Sequence, residues 1–322
     1  MKVLIAVLPV IAGFILDCII GDPYWLPHPV RLIGKQISWL EKMIRKKMKN
    51  NLIAGGIILN LTTVLLSGGV SFAVLYICYR FNIWLGAAVE SVMCFQLIAA
   101  KCLKIESMKV FTAIEQNDTE GARKAVSMIV GRDTAVLDDK GIIRAAVETV
   151  AENASDGVTA PLFYIMLGGA PLGFVYKAAN TLDSMVGYRN EKYGKIGWFS
   201  AKLDDILNFI PSRLTALLMI VAAPVLGLNG KNAFKIWRRD RLKHASPNSA
   251  QTESACAGAL MIRLAGDAYY FGELHKKPYI GDNCREVESR DIIRANRLMY
   301  GASTAVLIIG TVIRAVIFGG II

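Results

Sequence analysis

The chain has 322 residues, of which 54% are hydrophobic, and its formal net charge is +11. An ordinary soluble protein is about 45–50% apolar, and this chain also has a mean hydropathy of +0.41, so the composition excludes that class. The basic residues lie beside apolar runs, as the positive-inside rule expects. The charge therefore indicates a membrane surface and argues against a nucleic-acid partner.

Four apolar runs predict spanning helices, because a helix needs about 20 apolar residues to cross about 30 Å of hydrocarbon. They are Val3–Ile20, Asn51–Tyr79, Ile83–Ala100 and Tyr300–Ile322. The second run contains no charged residue at all, so it is the clearest of the four.

The loop 21–50 sets the predicted orientation. It holds seven Lys and Arg residues against two acids, and loops of that kind stay in the cytoplasm. The N-terminus is therefore expected outside, and residues 101–156 are expected inside as a largely helical segment. The basic segment 231–299 is expected inside as well.

Two further apolar runs are poor spanning helices. Gly157–Tyr176 is interrupted by proline and glycine, and Leu214–Gly230 is short and carries Pro224. Interrupted elements are tolerated at membrane depth only where protein or a watery cavity covers the free backbone groups. We expect both to be re-entrant or cavity-lining, with the polar region 177–213 inside; two ordinary crossings, with that region outside, are the alternative.

These elements predict an all-α, polytopic integral membrane protein with about four spanning helices plus two broken or re-entrant segments and cytoplasmic helical loops. Residues 1–322 are expected to form a single membrane domain. Its parts are the three-helix region 1–100 with the basic loop 21–50, the helical segment 101–156, the broken segments 157–230 around the polar region 177–213, the basic segment 231–299 and the last helix 300–322.

Three acids at a spacing of four lie in "ETVAENASDGVTAPLFY": Glu148, Glu152 and Asp156. At 100° per residue they fall within an arc of about 80°, and each like-charged pair costs a helix about 0.2–0.5 kcal/mol. Gly157 and Pro161 predict a helix end near Asp156, where the macrodipole also disfavours an anion. A nearby cation is therefore expected to offset the repulsion.

Two kinds of cation are candidates for that role. A hard cation such as Mg²⁺ suits carboxylate oxygens and keeps waters and substrate phosphates as its other ligands. The alternative is a solvated acidic face that Arg144 and Arg132 balance.

Polar candidates also lie beside the apolar runs elsewhere in the chain. His28 and Arg31, in "LDCIIGDPYWLPHPVRLIG", are candidate anion contacts at a stiff proline-rich turn. Arg132, in "VGRDT", either binds a phosphate or starts a helix. The others are Lys177, Asn180 and Asp183 in "YKAANTLDSMVGYRNEKYG", Asp204 and Arg213 in "AKLDDILNFIPSR", and Asn248 and Glu253 in "SPNSAQTESACAGAL", where an N-cap is the structural alternative.

These clusters mix carboxylates, amides and cations on one predicted membrane face, which predicts a shared site for anionic, phosphorylated ligands with a metal. A P-loop is excluded, because "GLNGKNA" has the wrong spacing for GxxxxGK[ST]. The motifs HExxH and GxSxG and a Cys/His zinc spacing do not occur, which argues against hydrolase and zinc-enzyme classes.

The quoted motifs, together with "KLDDILNFIPSRLTA" and "SPNSAQTESACAGAL…YFG…KPYIG", closely resemble the CbiB/CobD family, the adenosylcobinamide-phosphate synthases of cobalamin biosynthesis. The similarity is collinear from residue 14 to about residue 285, and several motifs exceed ten residues. The main departure lies in the SPN segment, where Asn248 and Glu253 still match.

The resemblance implies a multi-pass inner-membrane enzyme whose active site faces the cytoplasm. It implies that adenosylcobyric acid, a corrinoid, is joined to aminopropanol, supplied as (R)-1-amino-2-propanol O-2-phosphate, with ATP and Mg²⁺. The product would be adenosylcobinamide phosphate; ethanolamine phosphate stays open as the donor. The broken apolar segments are expected to wall a cavity for the corrinoid, and other enzymes of the pathway are candidate partners beside the lipid bilayer.

Each candidate residue has an expected role in that reaction. The expected catalytic acids are Glu148, Glu152, Asp156 and Asp183, and these four together with Asp204 are the expected Mg²⁺ ligands. Phosphates and the substrate carboxylate are expected to bind cationic and amide side chains, namely His28, Arg31, Arg132, Lys177, Asn180, Arg189, Arg213 and Asn248.

A transporter of an anionic solute is the rival from another class. Charges within apolar runs, such as Asp17 and Glu90, and broken helices are typical of transporters. The acidic and amide motifs nevertheless lie in predicted cytoplasmic segments, and no internal repeat is visible, which favours the enzyme. A non-catalytic membrane scaffold or sensor is the third interpretation.

Overall fold

The computed structural model describes residues 2–23, 25–188, 190–270 and 272–319. The protein is 74% helical with few strands. The α-helices are α1 (Lys2–Ile20), α2 (Pro29–Lys47), α3 (Leu52–Phe81), α4 (Ile83–Phe95), α5 (Ala100–Glu115), α6 (Thr119–Ser127), α7 (Asp139–Asn153), α8 (Ala160–Val186), α9 (Trp198–Leu207), α10 (Phe209–Val225), α11 (Gly230–Asp240), α12 (Ser249–Leu260) and α13 (Arg290–Gly319).

A π-helical turn and four short strands complete the secondary structure of the described residues. The turn, Ala154–Thr159, follows α7 directly. The strands are β1 (Leu264–Ala265), β2 (Ala268–Tyr270), β3 (Glu273–His275) and β4 (Tyr279–Ile280). Strand β1 pairs with β4 and β2 pairs with β3, both antiparallel.

Five helical stretches of the described chain are long and apolar enough to cross a membrane, or six if α9 and α10 form one broken span. They are Val3–Ile20, Leu52–Phe81, Ile83–Glu115, Asp139–Val186 and Arg290–Ile317. The predicted fold class, an all-α polytopic membrane protein, is confirmed.

The chain divides into two compact units. The first contains Met1–Ala99, Ala160–Asn208 and Leu307–Ile322, and the second contains Ala100–Thr159 and Phe209–Val306.

Small residues bring the helices of the first unit close together. A Cβ atom at Gly13 of α1 would lie 2.5 Å from the Cβ of Cys94 on α4. A Cβ at Gly56 of α3 would lie 2.0 Å from the carbonyl oxygen of Ile196. Helix association in lipid depends on such close van der Waals packing, so these two positions require glycine.

Helix α8 is broken at two consecutive glycines. Gly168 and Gly169 leave the helical conformation, and Gly169 has a φ of 68°, a left-handed value that favours glycine. The predicted interruption of the run 157–176 is confirmed at this point. Pro171 lies in the first turn after the break, where its missing N–H costs little.

A buried carboxylate meets the second half of the broken helix. The backbone N–H of Ala170 donates to Glu90 Oε1 at 3.3 Å, and the Tyr79 hydroxyl donates to Glu90 Oε2 at 2.6 Å. A Cβ at Gly169 would lie 2.5 Å from Glu90 Oε1. Glu90 therefore acts as an anionic cap at a helix N-terminus, where the macrodipole favours negative charge.

A guanidinium group meets the first half of the broken helix. Arg314 Nη1 donates to the carbonyl oxygens of Ile165 and Met166 at 2.7 and 2.9 Å. Backbone carbonyls freed inside a membrane need such a partner, because no water replaces the lost helical hydrogen bond. Arg314 therefore faces the protein interior.

The basic loop predicted at 21–50 is mostly helical, because α2 occupies Pro29–Lys47. Its buried residues, Ile33, Ile37, Leu40 and Ile44, recur at helical spacing. His28 caps its N-terminus by accepting a hydrogen bond from Val30 N–H on Nδ1 at 3.3 Å.

Two other predicted boundaries were wrong. The last helix begins at Arg290, ten residues before the apolar run that predicted it, because its first turns are polar. The helix expected to end near Asp156 ends at Asn153 and passes into the π-helical turn. Pro161 then falls in the first turn of α8, where proline is tolerated.

Helix α12 is buried along its whole length in the second unit. Its Gly258 lies so close to α11 that a Cβ there would be 2.7 Å from the Cα of Ala233. Because no face of α12 meets solvent, its polar side chains Gln251 and Glu253 lie in the protein interior.

Asp240 ties the end of α11 to strand β4. Burial raises the pKa of this carboxyl, but hydrogen bonds from Arg239, Lys243 and the backbone N–H of Gly281 outweigh burial and lower the pKa to about 2. The three donor–acceptor distances are 2.7, 2.7 and 2.8 Å. Strand β4 is thereby fixed, and with it the paired strand β1.

Candidate active site

A cavity of about 150 Å³ lies within the second unit, and it has room for several waters. Its polar lining side chains are Arg132, Glu148, Thr149, Glu152, Asn153, His244, Glu253, Tyr270 and Lys277. Three carboxyl groups and three basic side chains therefore share one small space.

Helix α7 supplies two of the carboxylates, Glu148 and Glu152, one turn apart. Arg132 Nη2 donates to Glu148 Oε2 at 2.8 Å, and the backbone N–H of Ala265 donates to Glu148 Oε1 at 2.7 Å. Arg132 was one of the two cations expected to balance the acidic face, and for Glu148 it does so. Both oxygens of Glu148 are thus engaged.

Glu152 is held from α12. The hydroxyl of Ser249, the first residue of that helix, donates to Glu152 Oε1 at 2.8 Å. A neutral hydroxyl fixes the carboxylate without cancelling its charge. Ser249 therefore holds Glu152 in the cavity lining without supplying a positive charge.

Glu253 is the third carboxyl group and the most buried one. It is 5% exposed, and its Oε2 has no hydrogen-bond partner among the described residues. Burial, followed by the charges of Glu152 and Glu148, raises the pKa of Glu253 well above its usual range. Glu253 of α12 thus adds a third carboxyl group to the two acids of α7.

His244 faces the same carboxylates. The backbone N–H of Ser246 donates to His244 Nδ1 at 3.1 Å, which leaves the ring proton on Nε2 in the neutral form. Burial lowers the pKa of His244, and the charge of Glu152 opposes that effect. The ring is therefore neutral near physiological pH and can donate from Nε2.

Lys277 brings a positive charge to the cavity. Its Nζ donates to the Tyr270 hydroxyl at 2.6 Å and lies 4.5 Å from the centre of that ring. The segment carrying both residues is tied to the loop of Arg132, because Asp133 N–H donates to the Tyr269 carbonyl at 2.9 Å and Gly272 N–H donates to Asp133 Oδ2 at 2.7 Å. Arg132 and Lys277 thus border the cavity as a cationic pair.

Sequence reasoning missed His244, Tyr270 and Lys277; Glu253 was a polar candidate of the SPN motif but was given no specific role. Glu253 and the "YFG…KPYIG" segment did stand within the motifs of the resemblance. The resemblance to the family therefore pointed to these segments, whereas the helical spacing of residues within one segment did not predict that they line the cavity.

Other predicted residues of the second unit lie outside this lining. Arg213 Nη1 donates to the Phe209 carbonyl at 2.7 Å and to Asn248 Oδ1 at 3.3 Å, with the guanidinium 3.5 Å from the centre of the Phe209 ring. Asn248 precedes α12 without capping it by its side chain. Asp156 follows α7 in the π-helical turn and does not line the cavity.

The remaining predicted residues belong to the first unit, apart from Arg189, which lies outside the described residues. Asn180 Nδ2 donates to Asp204 Oδ1 at 3.2 Å, so the predicted pairing of these two motifs occurs. Lys177, on the same helix as Asn180 and Asp183, is buried.

The proline-rich turn of the first unit holds the other two candidates. His28 Nε2 lies 3.2 Å from Asp22 Oδ1, and Arg31 donates to the Leu26 carbonyl. Arg31 is exposed. Anion binding by either residue stays a prediction.

The donors of the cavity suit a hard cation. Among the described residues, no group of three or more His, Cys, Asp or Glu side chains is arranged as a formed metal site. Glu152 and Glu253 nevertheless offer carboxylate oxygens, one of them buried without a partner. Mg²⁺ commonly takes one or two carboxylates and completes its octahedron with waters and phosphates, so these two residues fit it.

Fold and site together define a multi-pass helical membrane protein with a buried, carboxylate-lined polar cavity. The model of the CobD/Cbib protein family matches residues 10–299. The chain therefore belongs to the CobD/CbiB family.

Curated relatives extend the match over nearly the whole chain. The "Cobalamin biosynthesis protein CobD" of Clostridium perfringens is 49% identical over 96% of this chain and 98% of its own length. The protein of that name from Pelobacter propionicus is 46% identical over 95% of both chains. The "Cobalamin biosynthesis protein CbiB" of Salmonella arizonae is 46% identical over 92% of this chain and 93% of its own length. Among solved structures, none matches the chain significantly.

Proposed function

We propose that this protein is an ATP-dependent ligase that joins adenosylcobyric acid to (R)-1-amino-2-propanol O-2-phosphate and yields adenosylcobinamide phosphate. Membership of the family gives the chain a role as a biosynthetic enzyme in cobalamin biosynthesis. The observation that carries the finer proposal is the cavity in which Glu148, Glu152 and Glu253 face Arg132 and Lys277.

The proposed reaction needs cations and carboxylates together. A carboxylate is a poor acyl donor, so the γ-phosphoryl group of ATP passes to the corrinoid carboxylate, and ADP leaves. The amine then attacks the acyl phosphate, the C–N bond forms, and inorganic phosphate departs while a carboxylate takes the proton of the ammonium group. Such transfer depends on positioning and on neutralising the spread phosphate charge.

The residues of the cavity divide that work. Arg132 and Lys277 attract phosphate oxygens, with Arg132 oriented by Glu148 and Lys277 by Tyr270. Glu152 and Glu253 would hold Mg²⁺, which supplies further neutralisation of the phosphates when bound. Neutral His244 would donate a hydrogen bond from Nε2 to an oxygen of the bound ligand.

The proposal includes a location. The protein lies in the cytoplasmic (inner) membrane of its cell with the cavity facing the cytoplasm, because ATP is there and because the positive-inside rule assigns the basic segments to that side. Adenosylcobyric acid, the amine phosphate and ATP are then its small-molecule partners.

Purified protein in detergent tests the proposal directly. With adenosylcobyric acid, the amine phosphate, ATP and Mg²⁺, amide product and ADP should form in equal amounts, and chelating the metal should stop both. Parallel reactions with ethanolamine phosphate identify the donor. ADP without amide, or amide without ATP, would refute the ligase.

One observation that favoured a transporter of an anionic solute, the acid Glu90 within an apolar run, has a structural explanation. Glu90, an acid within an apolar run, has hydrogen bonds to both oxygens and caps a broken helix. It therefore has a structural role that requires no solute. A transporter or a scaffold would make no amide in the assay.

A further inference from the structure

The first unit contains a groove of about 400 Å³ between α2 and α3, separate from every candidate site residue. Its floor includes Phe174 of α8 and Met93 of α4, and α2 lines one wall with Leu32 and Gln36. Ile44 of α2 lies against α3, where it would meet a Cβ at Gly55 at 2.5 Å, so the two helices run antiparallel beside the groove.

The side chains with which α3 lines the groove are exposed on the outer surface of the protein, within a predicted membrane span. Leu66, Val70 and Val74 line it at a spacing of four, and they are 50%, 59% and 38% exposed. They belong to the stretch Leu52–Phe81, which is long and apolar enough to span a bilayer. The groove therefore opens sideways to hydrocarbon, the medium of lipid acyl chains.

Two polar side chains that line this apolar groove each carry an unsatisfied atom. Gln36 Nε2 and Ser67 Oγ are both buried and have no hydrogen-bond partner among the described residues. An unpaired buried polar group destabilises a folded protein. Because both residues line the groove, a change of rotamer would turn each atom toward a ligand with hydrogen-bond acceptors, such as the ester carbonyls of a glycerolipid.

Exposed lysines follow the same helix beside the groove. Lys35, Lys42 and Lys46 recur at helical spacing on α2 and are exposed. Leu32 and Trp39, which are 65% and 63% exposed, form the neighbouring apolar row. Tryptophan beside lysine is the usual composition of a helix at the membrane–water interface, so the row is placed to meet lipid phosphates.

We infer that this groove binds one anionic phospholipid. An acyl chain lies along Leu66, Val70 and Val74, the glycerol esters accept hydrogen bonds from Gln36 and Ser67, and the phosphate meets Lys35 and Lys42. The apolar wall favours an acyl chain over a polar ligand, and the two unsatisfied polar atoms fix how far the lipid enters the groove. The lysines favour a lipid with a negatively charged headgroup.

Native mass spectrometry of the detergent-purified protein, with phosphatidylglycerol and phosphatidylcholine of identical acyl chains, tests this inference. The wild-type protein should retain one phosphatidylglycerol and prefer it to phosphatidylcholine. Each lysine near an anionic lipid contributes about fivefold in affinity, so the Lys35→Gln/Lys42→Gln variant should lower that preference by about 25-fold. The matched control, Lys231→Gln/Lys235→Gln on α11, should leave it unchanged.

Filling the groove separates acyl-chain binding from surface charge. Val70→Trp should remove both lipids, whereas Leu65→Trp, at a 70% exposed position of α3 outside the groove, should remove neither. Leu66→Trp is the second groove-filling variant should Val70→Trp fail to fold. Equal retention of the two lipids by the wild-type protein, or undiminished retention after filling the groove, would overturn the inference. So would a groove-filling variant that binds lipid normally but loses affinity for the corrinoid, since the corrinoid would then be the occupant.

Discussion

The two units contain buried charge that is managed in opposite ways. At the break in α8, Glu90 and Arg314 each meet the backbone end whose dipole suits their charge. In the cavity of the second unit, Glu152 and Glu253 face each other and Glu148, and Glu253 Oε2 stays unpaired among the described residues. Charged groups that meet backbone dipoles of opposite polarity support the fold, whereas crowded carboxyl groups with an unpaired oxygen are typical of a functional site.

The largest expected effect is on turnover in the cavity. Glu152→Gln keeps the hydrogen bond from Ser249 but removes the charge that faces the phosphates and metal. Loss of one electrostatic contact of this kind commonly costs about 10²–10³ in rate, so ligase activity should fall by at least about a hundredfold in the purified-protein assay.

Two controls accompany this substitution. The variant should insert into membranes at the wild-type level, and Glu120→Gln, at an exposed surface acid, should retain activity. Near-normal turnover of Glu152→Gln would remove this residue from the site.

The next effect is on stability at the helix break. Arg314→Met leaves the Ile165 and Met166 carbonyls without their donor, at about 1–3 kcal/mol for each buried group. Equilibrium unfolding in mixed detergent should show a loss of about 2–6 kcal/mol, while turnover per folded molecule stays near that of the wild type. An unchanged unfolding midpoint would contradict the capping role of Arg314.

The pH dependence of stability should separate the two regions. Because the pKa of Glu253 is raised in the folded protein, the folded state keeps a proton that the unfolded chain loses above about pH 4.3. The free energy of unfolding contributed by this group therefore falls as pH rises from that value toward the folded pKa.

Glu253→Gln removes that dependence, so the variant should gain stability over the wild type as pH rises from 5 to 8. Unfolding measured with a metal chelator present checks the sign. The exposed control Glu120→Gln should show no such trend, and a Glu253→Gln difference independent of pH would mean that the carboxyl is ionised in the folded protein.

The smallest effect is expected for Glu90→Gln. The amide oxygen still accepts the hydrogen bond from Ala170, and the amide NH2 can donate to the Tyr79 hydroxyl, so the main loss is the favourable charge–dipole term of about 0.3–1 kcal/mol. The same Glu-to-Gln exchange should thus abolish turnover at position 152 and barely change turnover at position 90. A large loss of activity in Glu90→Gln would break the contrast between the two regions.

Local patterns predicted the elements that depend on local physics. The uncharged run of α3, the break at Gly168 and Gly169, and the shared face of Glu148 and Glu152 all follow from neighbouring residues. The isoleucines of α2 recur at helical spacing and gave an equally clear signal for a helix. The high charge of the segment nevertheless led to the prediction of a loop.

Features made by distant residues could not be predicted in that way. Asp156 follows Glu152 at a spacing of four, yet it lies in a π-helical turn and does not line the cavity. Glu253 and Lys277 reach the cavity from segments more than 100 residues away along the chain. The partner of Glu90 depends on where α8 breaks in space, which no spacing rule gives.

The Arg314 contact also bears on how the chain matures. The carbonyls of Ile165 and Met166 receive their donor from a residue 149 and 148 positions later. During synthesis, these two carbonyls in the middle of α8 therefore lack their hydrogen-bond donor until the C-terminal helix has been inserted. Chains that stop before Arg314 should therefore leave these two carbonyls without their donor, and we expect membrane proteases to degrade them faster than the full-length chain.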